Sequence, residues 1–231
     1  MEDVKGSNFD DTLVGDANSN EIYGEAGNDS IHGEYGADSL YGGDGDDTFV
    51  FLGWDVDWGE VIDGGDNSFS GDRLQVMWDT DFSGAWAITG IEVVGIDPGM
   101  TATFSYYQFD GNWVMEDSAG TSETLALVGD WWWSDYMDLS SFPNISGGFG
   151  DPAEDRVRVD GYSGDDVLIG TAGADLLFGG DDNDELRGGL ENDNLYGGSG
   201  DDWLFGEGGD DTLNGEWGWN SLDGGAGADI L

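Results

Sequence analysis

From residue 161 to residue 231 the chain places one apolar residue every nine positions. These are Leu168, Leu177, Leu186, Leu195, Leu204, Leu213, Leu222 and Leu231. Two residues before each stands Asp166, Asp175, Asp184, Asp193, Asp202, Asp211, Asn220 or Asp229, and every unit opens on glycine. With the glycine as position 1, positions 1 to 6 are polar and glycine-rich and predict a tight turn. Positions 7 to 9 predict a short strand with position 8 inward and positions 7 and 9 outward. One inward residue cannot make a core alone. Stacked units can, and a period of this kind predicts a solenoid.

A shorter array precedes it. Residues 6–50 hold five units with Asp11, Asn20, Asp29, Asp38 and Asp47 at position 6, and Leu13, Ile22, Ile31, Leu40 and Phe49 at position 8. The first two units are degenerate, with Phe9 and Asn18 at position 4. Between the arrays the period breaks. Short alternating runs remain at Arg73–Trp78, Trp86–Ile96, Thr101–Phe109, Glu123–Val128 and Asp155–Asp160, separated by turn residues, with no amphipathic helix. Gly64-Gly65-Asp66 followed by Gly71-Asp72-Arg73-Leu74 reads as one repeat split by an insertion. The expected fold is all-β. A first roll over 6–52 and a second over 161–231 flank a Trp-rich β segment over 53–160, which is either a β-sandwich or an irregular β-solenoid.

Within a unit, glycines at positions 1, 2 and 4 supply positive φ and close backbone approach. Backbone carbonyls can then point at a common centre, which the position-6 carboxylate closes. Oxygen ligands in flexible geometry suit Ca²⁺ better than Mg²⁺. The pattern resembles the glycine-rich nonapeptide of the RTX (repeats-in-toxin) family, GGxGxDxUx, a Ca²⁺-binding repeat. The resemblance implies a parallel β-roll with two units per turn and several Ca²⁺ ions held between units two apart. Asp166 then pairs with Asp184, Asp175 with Asp193, Asp184 with Asp202, Asp193 with Asp211, Asp202 with Asn220, and Asp211 with Asp229. In the first array Asp29–Asp47 is the best pair, with Asp11–Asp29 and Asn20–Asp38 weaker. Asp182 and Glu191 replace the position-4 glycine and are expected to distort their turns. Asn220 lacks a charge and weakens its site.

Charge sharpens this picture. The chain has 51 acidic and 5 basic residues and a net charge of −46. Nucleic acid and anionic membranes are disfavoured partners. Such a charge opposes compaction unless cations neutralise it, so the arrays are expected to unfold without Ca²⁺. There is no cysteine. The first residues have no basic n-region and no apolar h-region, and no run approaches the ~18 apolar residues of a membrane helix. The chain stops at position 8 of a unit. The expectation is a piece of a longer polypeptide whose open solenoid end could also self-associate. The resemblance implies a secreted or cell-surface protein exported by a type I system.

Catalysis finds little support. There is no G-x-S-x-G, no H-E-x-x-H and no phosphate loop. Close carboxylates such as Asp55, Asp57 and Glu60, or Asp135 and Asp138, arise by chance in so acidic a chain. His32, the single histidine, sits at an outward position 9 and reads as a solvated surface residue. Trp131, Trp132, Trp133 and Tyr136, with Tyr106 and Tyr107, are candidates for binding a glycan or peptide, because three consecutive tryptophans on a strand cannot all face inward. An accessory part of an extracellular enzyme is a third reading. The mixed outward positions, among them Glu185, Arg187, Asn194 and Asp223, exclude an ice-binding face.

Overall fold

The computed structural model describes residues 2–66, 71–97, 100–108, 114–116, 124–129, 134–140 and 156–231. Trp131, Trp132 and Trp133 lie outside the described residues. The chain divides into two compact units, residues 1–118 and 119–231. Apart from one short 3-10 turn at Tyr106–Gln108, every regular element among the described residues is a strand. No helix among them is long and apolar enough to cross a membrane.

In the first unit, strands β1 (Glu2–Lys5), β3 (Asn20–Ala26), β5 (Ser39–Asp44), β7 (Val61–Asp66) and β10 (Ala87–Thr89) form one parallel sheet in that order. Strands β2 (Thr12–Val14), β4 (Ser30–His32), β6 (Thr48–Phe51), β8 (Arg73–Val76), β11 (Val93–Ile96) and β13 (Val114–Glu116) form a second. The chain alternates between the two, so each rung of the roll takes two nonapeptides. Ile22 pairs with Leu40, and Leu13 with Ile31. A further pair, β9 (Thr80–Asp81) with β12 (Thr101–Ser105), is also parallel.

The second unit repeats the plan. Strands β14 (Thr124–Val128), β16 (Arg156–Ser163), β18 (Asp175–Asp181), β20 (Asn194–Ser199) and β22 (Thr212–Asn214) make one sheet. Strands β15 (Tyr136–Asp138), β17 (Val167–Ile169), β19 (Glu185–Leu190), β21 (Trp203–Gly208) and β23 (Ser221–Asp223) make the other.

Position 8 fills the core as its period requires. Ile22, Ile31, Leu40, Phe49, Leu168, Leu177, Leu186, Leu195 and Leu204 are fully buried between the sheets. Leu231 is exposed. The aperiodic segment keeps the same architecture. Ile62 pairs with Leu40, Leu74 with Phe49, Ile88 with Ile62 and Val94 with Leu74, all in parallel register. Of the two architectures open for the middle, the described strands of each unit follow the irregular solenoid. Larger side chains fill its wider turns. Phe82 stacks on Phe104 at 4.7 Å between ring centres and meets the edge of Phe51 at 4.9 Å. Gln108 satisfies the buried backbone there, donating Nε2 to the carbonyls of Phe82 and Ala85 at 2.8 and 2.9 Å.

Candidate metal centre

Two side-chain ladders run along the turns in opposite directions. In the first, a position-6 side chain accepts a hydrogen bond from the position-6 backbone amide of the preceding rung. The amide of Asp166 donates to Oδ1 of Asp184 at 2.9 Å, Asp184 to Asp202 at 3.0 Å, Asp175 to Asp193 at 2.8 Å, and Asp193 to Asp211 at 2.9 Å. Asp202 donates to Oδ1 of Asn220 and Asp211 to Asp229. In the first unit Asp11 donates to Asp29, Asn20 to Asp38 and Asp29 to Asp47. The structure thus brings the expected partners onto consecutive rungs, 18 residues apart. In the second ladder a position-5 side chain accepts from the position-5 amide of the following rung. Asp165 accepts from Asn183 and Asn183 from Asp201, each at 2.9 Å.

The position-6 ladder extends into the stretch where the sequence period is lost. The amide of Asp38 donates to Oε2 of Glu60 at 3.0 Å, Asp47 to Oδ1 of Asp72 at 2.7 Å, Asp72 to Oε2 of Glu92 at 2.9 Å, and Asp135 to Oδ1 of Asp166 at 2.7 Å. Asp72 was foreshadowed by the split repeat. Glu60 and Glu92 were hidden because a longer acid stands where the period calls for Asp. Asp135 was masked by the tryptophan triplet between it and Gly129, its position-1 glycine. These are places in a structural ladder for Glu60 and Asp135, which the sequence offered only as members of chance acid pairs.

With one oxygen held by an amide, the other faces the turn. Oδ2 of Asp29, Asp38, Asp47, Asp72, Asp166, Asp184, Asp193, Asp202 and Asp211, and Oε1 of Glu60, are buried without a hydrogen-bond partner. A buried carboxylate oxygen without a partner is costly unless a cation neutralises it. The position-1 glycines explain the close quarters. A methyl group on Gly188 would collide with Oδ2 of Asp193, and one on Gly206 with Oδ2 of Asp211. These glycines do not take positive φ, so here the sequence reading needs correction. They are required by close approach, of the carboxylate and in most turns also of the next rung's position-1 carbonyl, not by backbone twist.

Position 2 sorts the turns into two kinds. Glu25, Glu34, Tyr162, Glu207 and Glu216 take positive φ, between 57° and 81°, as the glycines at this position do. Ser7, Asp16 and Thr171 do not, and each turns its amide onto its own position-6 side chain. Ser7 donates to Oδ2 of Asp11, Asp16 to Oδ1 of Asn20, and Thr171 to Oδ2 of Asp175, all at 2.6 Å. β-Branched residues resist positive φ, which accounts for Thr171. Asp11, Asn20 and Asp175 therefore lie in self-capped turns, and Asp175 has no unpartnered oxygen to offer. At position 4, Asp182 and Glu191 adopt φ of 76° and 65°. The positive-φ glycines at this position lie between 116° and 154°, so the expected distortion is present but confined to backbone twist: Asp184 and Asp193 keep their ladder bonds, and the cost is local strain in two non-glycine residues.

Burial pushes these carboxyls up. Glu60 rises to about 9, Asp184 and Asp193 to about 8, Asp72 and Asp175 to about 7, and Asp38, Asp47 and Asp166 to about 6. In every case desolvation is the leading cause, and the backbone hydrogen bond only partly opposes it. Among the described residues no group of three or more His, Cys, Asp or Glu side chains converges on one point. One or two carboxylates with backbone carbonyls are the donor set of a hard cation. A Ca²⁺ ion bound here would supply the charge that the buried oxygens lack.

One other residue, His32, is placed differently from the sequence reading. His32 is only 15% exposed, and its Nε2 meets Oδ2 of Asp55 at 2.8 Å. The long turn after β6 folds buried Asp55 over it, so it is a paired residue and not a solvated one. Tyr136 is exposed.

No curated protein matches the chain. Residues 5–34, 26–51, 160–195 and 196–231, together just over half of the sequence, match the RTX calcium-binding nonapeptide repeat. The matched spans coincide with the two periodic arrays, and the chain belongs to the RTX calcium-binding repeat family.

Proposed function

We propose that the chain is a non-catalytic calcium-driven folding module of a secreted or surface-attached bacterial protein. It stays expanded at low Ca²⁺ and folds when it meets the cation outside the cell. The observation that carries this reading is the file of buried, unpartnered carboxylate oxygens beside the position-1 glycines. Ions are held best where position 2 takes positive φ, in the turns closed by Asp29, Asp38, Asp47, Asp166, Asp184, Asp193, Asp202, Asp211 and Asp229. Asn220 makes a weaker site, and Asp11, Asn20 and Asp175 contribute least. Glu60 and Asp72 add sites beyond the periodic arrays. Binding several ions only in the folded state shifts the equilibrium by mass action, so folding and binding become one transition. Circular dichroism during a Ca²⁺ titration tests this. The β signal should appear cooperatively with Ca²⁺ and vanish with chelator, whereas an unchanged spectrum in excess chelator would refute it.

A further inference from the structure

The turns that lead from the second sheet of the first unit back to its first sheet all lie on one edge. They are regular at 33–38 and lengthened at 52–60 and 77–86. On a solenoid, insertions of this kind collect on one face and often carry its binding function. Here they carry five of the unit's exposed aromatic rings, with Tyr107 of the 3-10 turn exposed elsewhere. Tyr35, Trp54, Trp58, Trp78 and Trp86 are 52%, 76%, 78%, 59% and 70% exposed. On the opposite edge Phe9 is the exposed large aromatic among the described residues.

The aromatic edge is built, not frayed. Val61 donates its amide to the carbonyl of Asp38, and Trp86 to that of Glu60, which places the three turns on successive rungs about 4.8 Å apart. Gly59 donates to the carbonyl of Gly84 at 3.1 Å. Each of these glycines seats a ring from the other turn. A methyl group on Gly59 would lie 3.4 Å from Cε2 of Trp86, and one on Gly84 would lie 3.5 Å from Cε3 of Trp58. The rings rest on flat backbone and remain open to solvent. Carboxylates stand among them, each fixed by a backbone amide. Asp57 accepts from Gly36 at 3.0 Å, Asp79 from Thr101 at 2.7 Å and Asp81 from Ser83 at 2.9 Å.

We propose that this edge binds a neutral polysaccharide, with Trp58 and Trp86 stacking on sugar rings and Asp57, Asp79 and Asp81 accepting from sugar hydroxyls. This function goes beyond the calcium-folding role and uses the folded roll as its platform. The chemistry selects the occupant. Aromatic faces pair with the apolar faces of pyranose rings, and carboxylates are acceptors only. A net charge of −46 repels acidic glycans, nucleic acid and anionic lipid. A protein partner would strip water from the interleaved carboxylates, whereas protein interfaces are depleted of charge at their centres. Sugar hydroxyls satisfy those oxygens as they cover them.

The test is affinity electrophoresis of the full chain with Ca²⁺, through gels containing hydroxyethyl cellulose, xyloglucan, galactomannan or dextran, with alginate as the anionic comparison. At least one neutral polysaccharide should retard the protein and quench its tryptophan fluorescence, and alginate should not. Trp58→Ala with Trp86→Ala should weaken retardation at least tenfold, Trp54→Ala with Trp78→Ala should weaken it less, and Phe9→Ala should leave it unchanged. Circular dichroism confirms that each variant still folds with Ca²⁺, so a failure of this proposal is distinct from a failure of the calcium reading. Free mobility in all four neutral gels, equal retardation of the Trp58/Trp86 variant, or binding of a lysine-rich peptide in place of glycan would overturn it.

Discussion

Asn220 donates its Nδ2 to the carbonyl oxygen of Gly215 at 2.6 Å, beside the glycine where the neighbouring rungs set a carboxylate oxygen. Its Oδ1 keeps the ladder bond from Asp202 at 2.9 Å. The amide thus preserves the fold of this turn and replaces a cation ligand with a hydrogen-bond donor. Asn220→Asp should strengthen Ca²⁺ binding and lower the Ca²⁺ needed for folding. In chelator the same change should destabilise, because it adds an unpaired carboxylate. Paired Ca²⁺ titrations and chelator melts of the two proteins check both signs.

Thr171→Gly should open a closed site. In the native turn the Thr171 amide and hydroxyl both bond the Asp175 carboxylate. Glycine at this position can take the positive φ of the other turns and release Oδ2. Isothermal titration calorimetry should show additional bound Ca²⁺. An unchanged stoichiometry would mean that the self-capped turn does not decide occupancy.

Gly188→Ala tests the reason for the position-1 glycines. Its φ is one that alanine accepts, so any loss comes from the clash with Oδ2 of Asp193. Overpacking of this kind costs ~1–3 kcal/mol, and displacing the carboxylate adds the loss of an ion. A right-shifted Ca²⁺ titration and a lower melting temperature are expected.

Acidity should act in opposite directions with and without the cation. Buried carboxyls such as Glu60, Asp184 and Asp193 have folded-state values of about 9, 8 and 8, above their unfolded values. The folded chain therefore binds more protons than the unfolded chain, and each group destabilises the metal-free fold as pH rises through that window. In chelator, lowering the pH from about 9 towards 4 should increase β structure. In Ca²⁺, the same change should weaken binding, since protons compete for the oxygens. Circular dichroism across pH in both buffers measures the two slopes.

The roll was legible because its rule is local. Leu186 and Leu195 announce the inward face, and Asp184 and Asp193 announce the turn. The middle was less legible because an insertion shifts the count without changing the fold. Ile62 and Leu74 occupy the same inward column as Leu40 and Phe49, yet the turn between Phe51 and Val61 is too long for a period of nine to cross. The difference between Glu25 and Thr171 at position 2 lies in backbone twist, which the consensus does not encode. Proximity of Asp55 to His32 likewise depends on where a long turn folds back.

The two opposed ladders make successive junctions between the periodic rungs much alike, with one bond sent forward from a position-6 amide and, where position 5 carries an acceptor, one sent back from a position-5 amide. A repeating seam of that sort is equally content if a segment slides by a whole rung. The irregular turns are what abolish this degeneracy in the first unit. Trp58 over Gly84 and Trp86 over Gly59 match only in one alignment, so the insertions that break the sequence period also lock the roll's register.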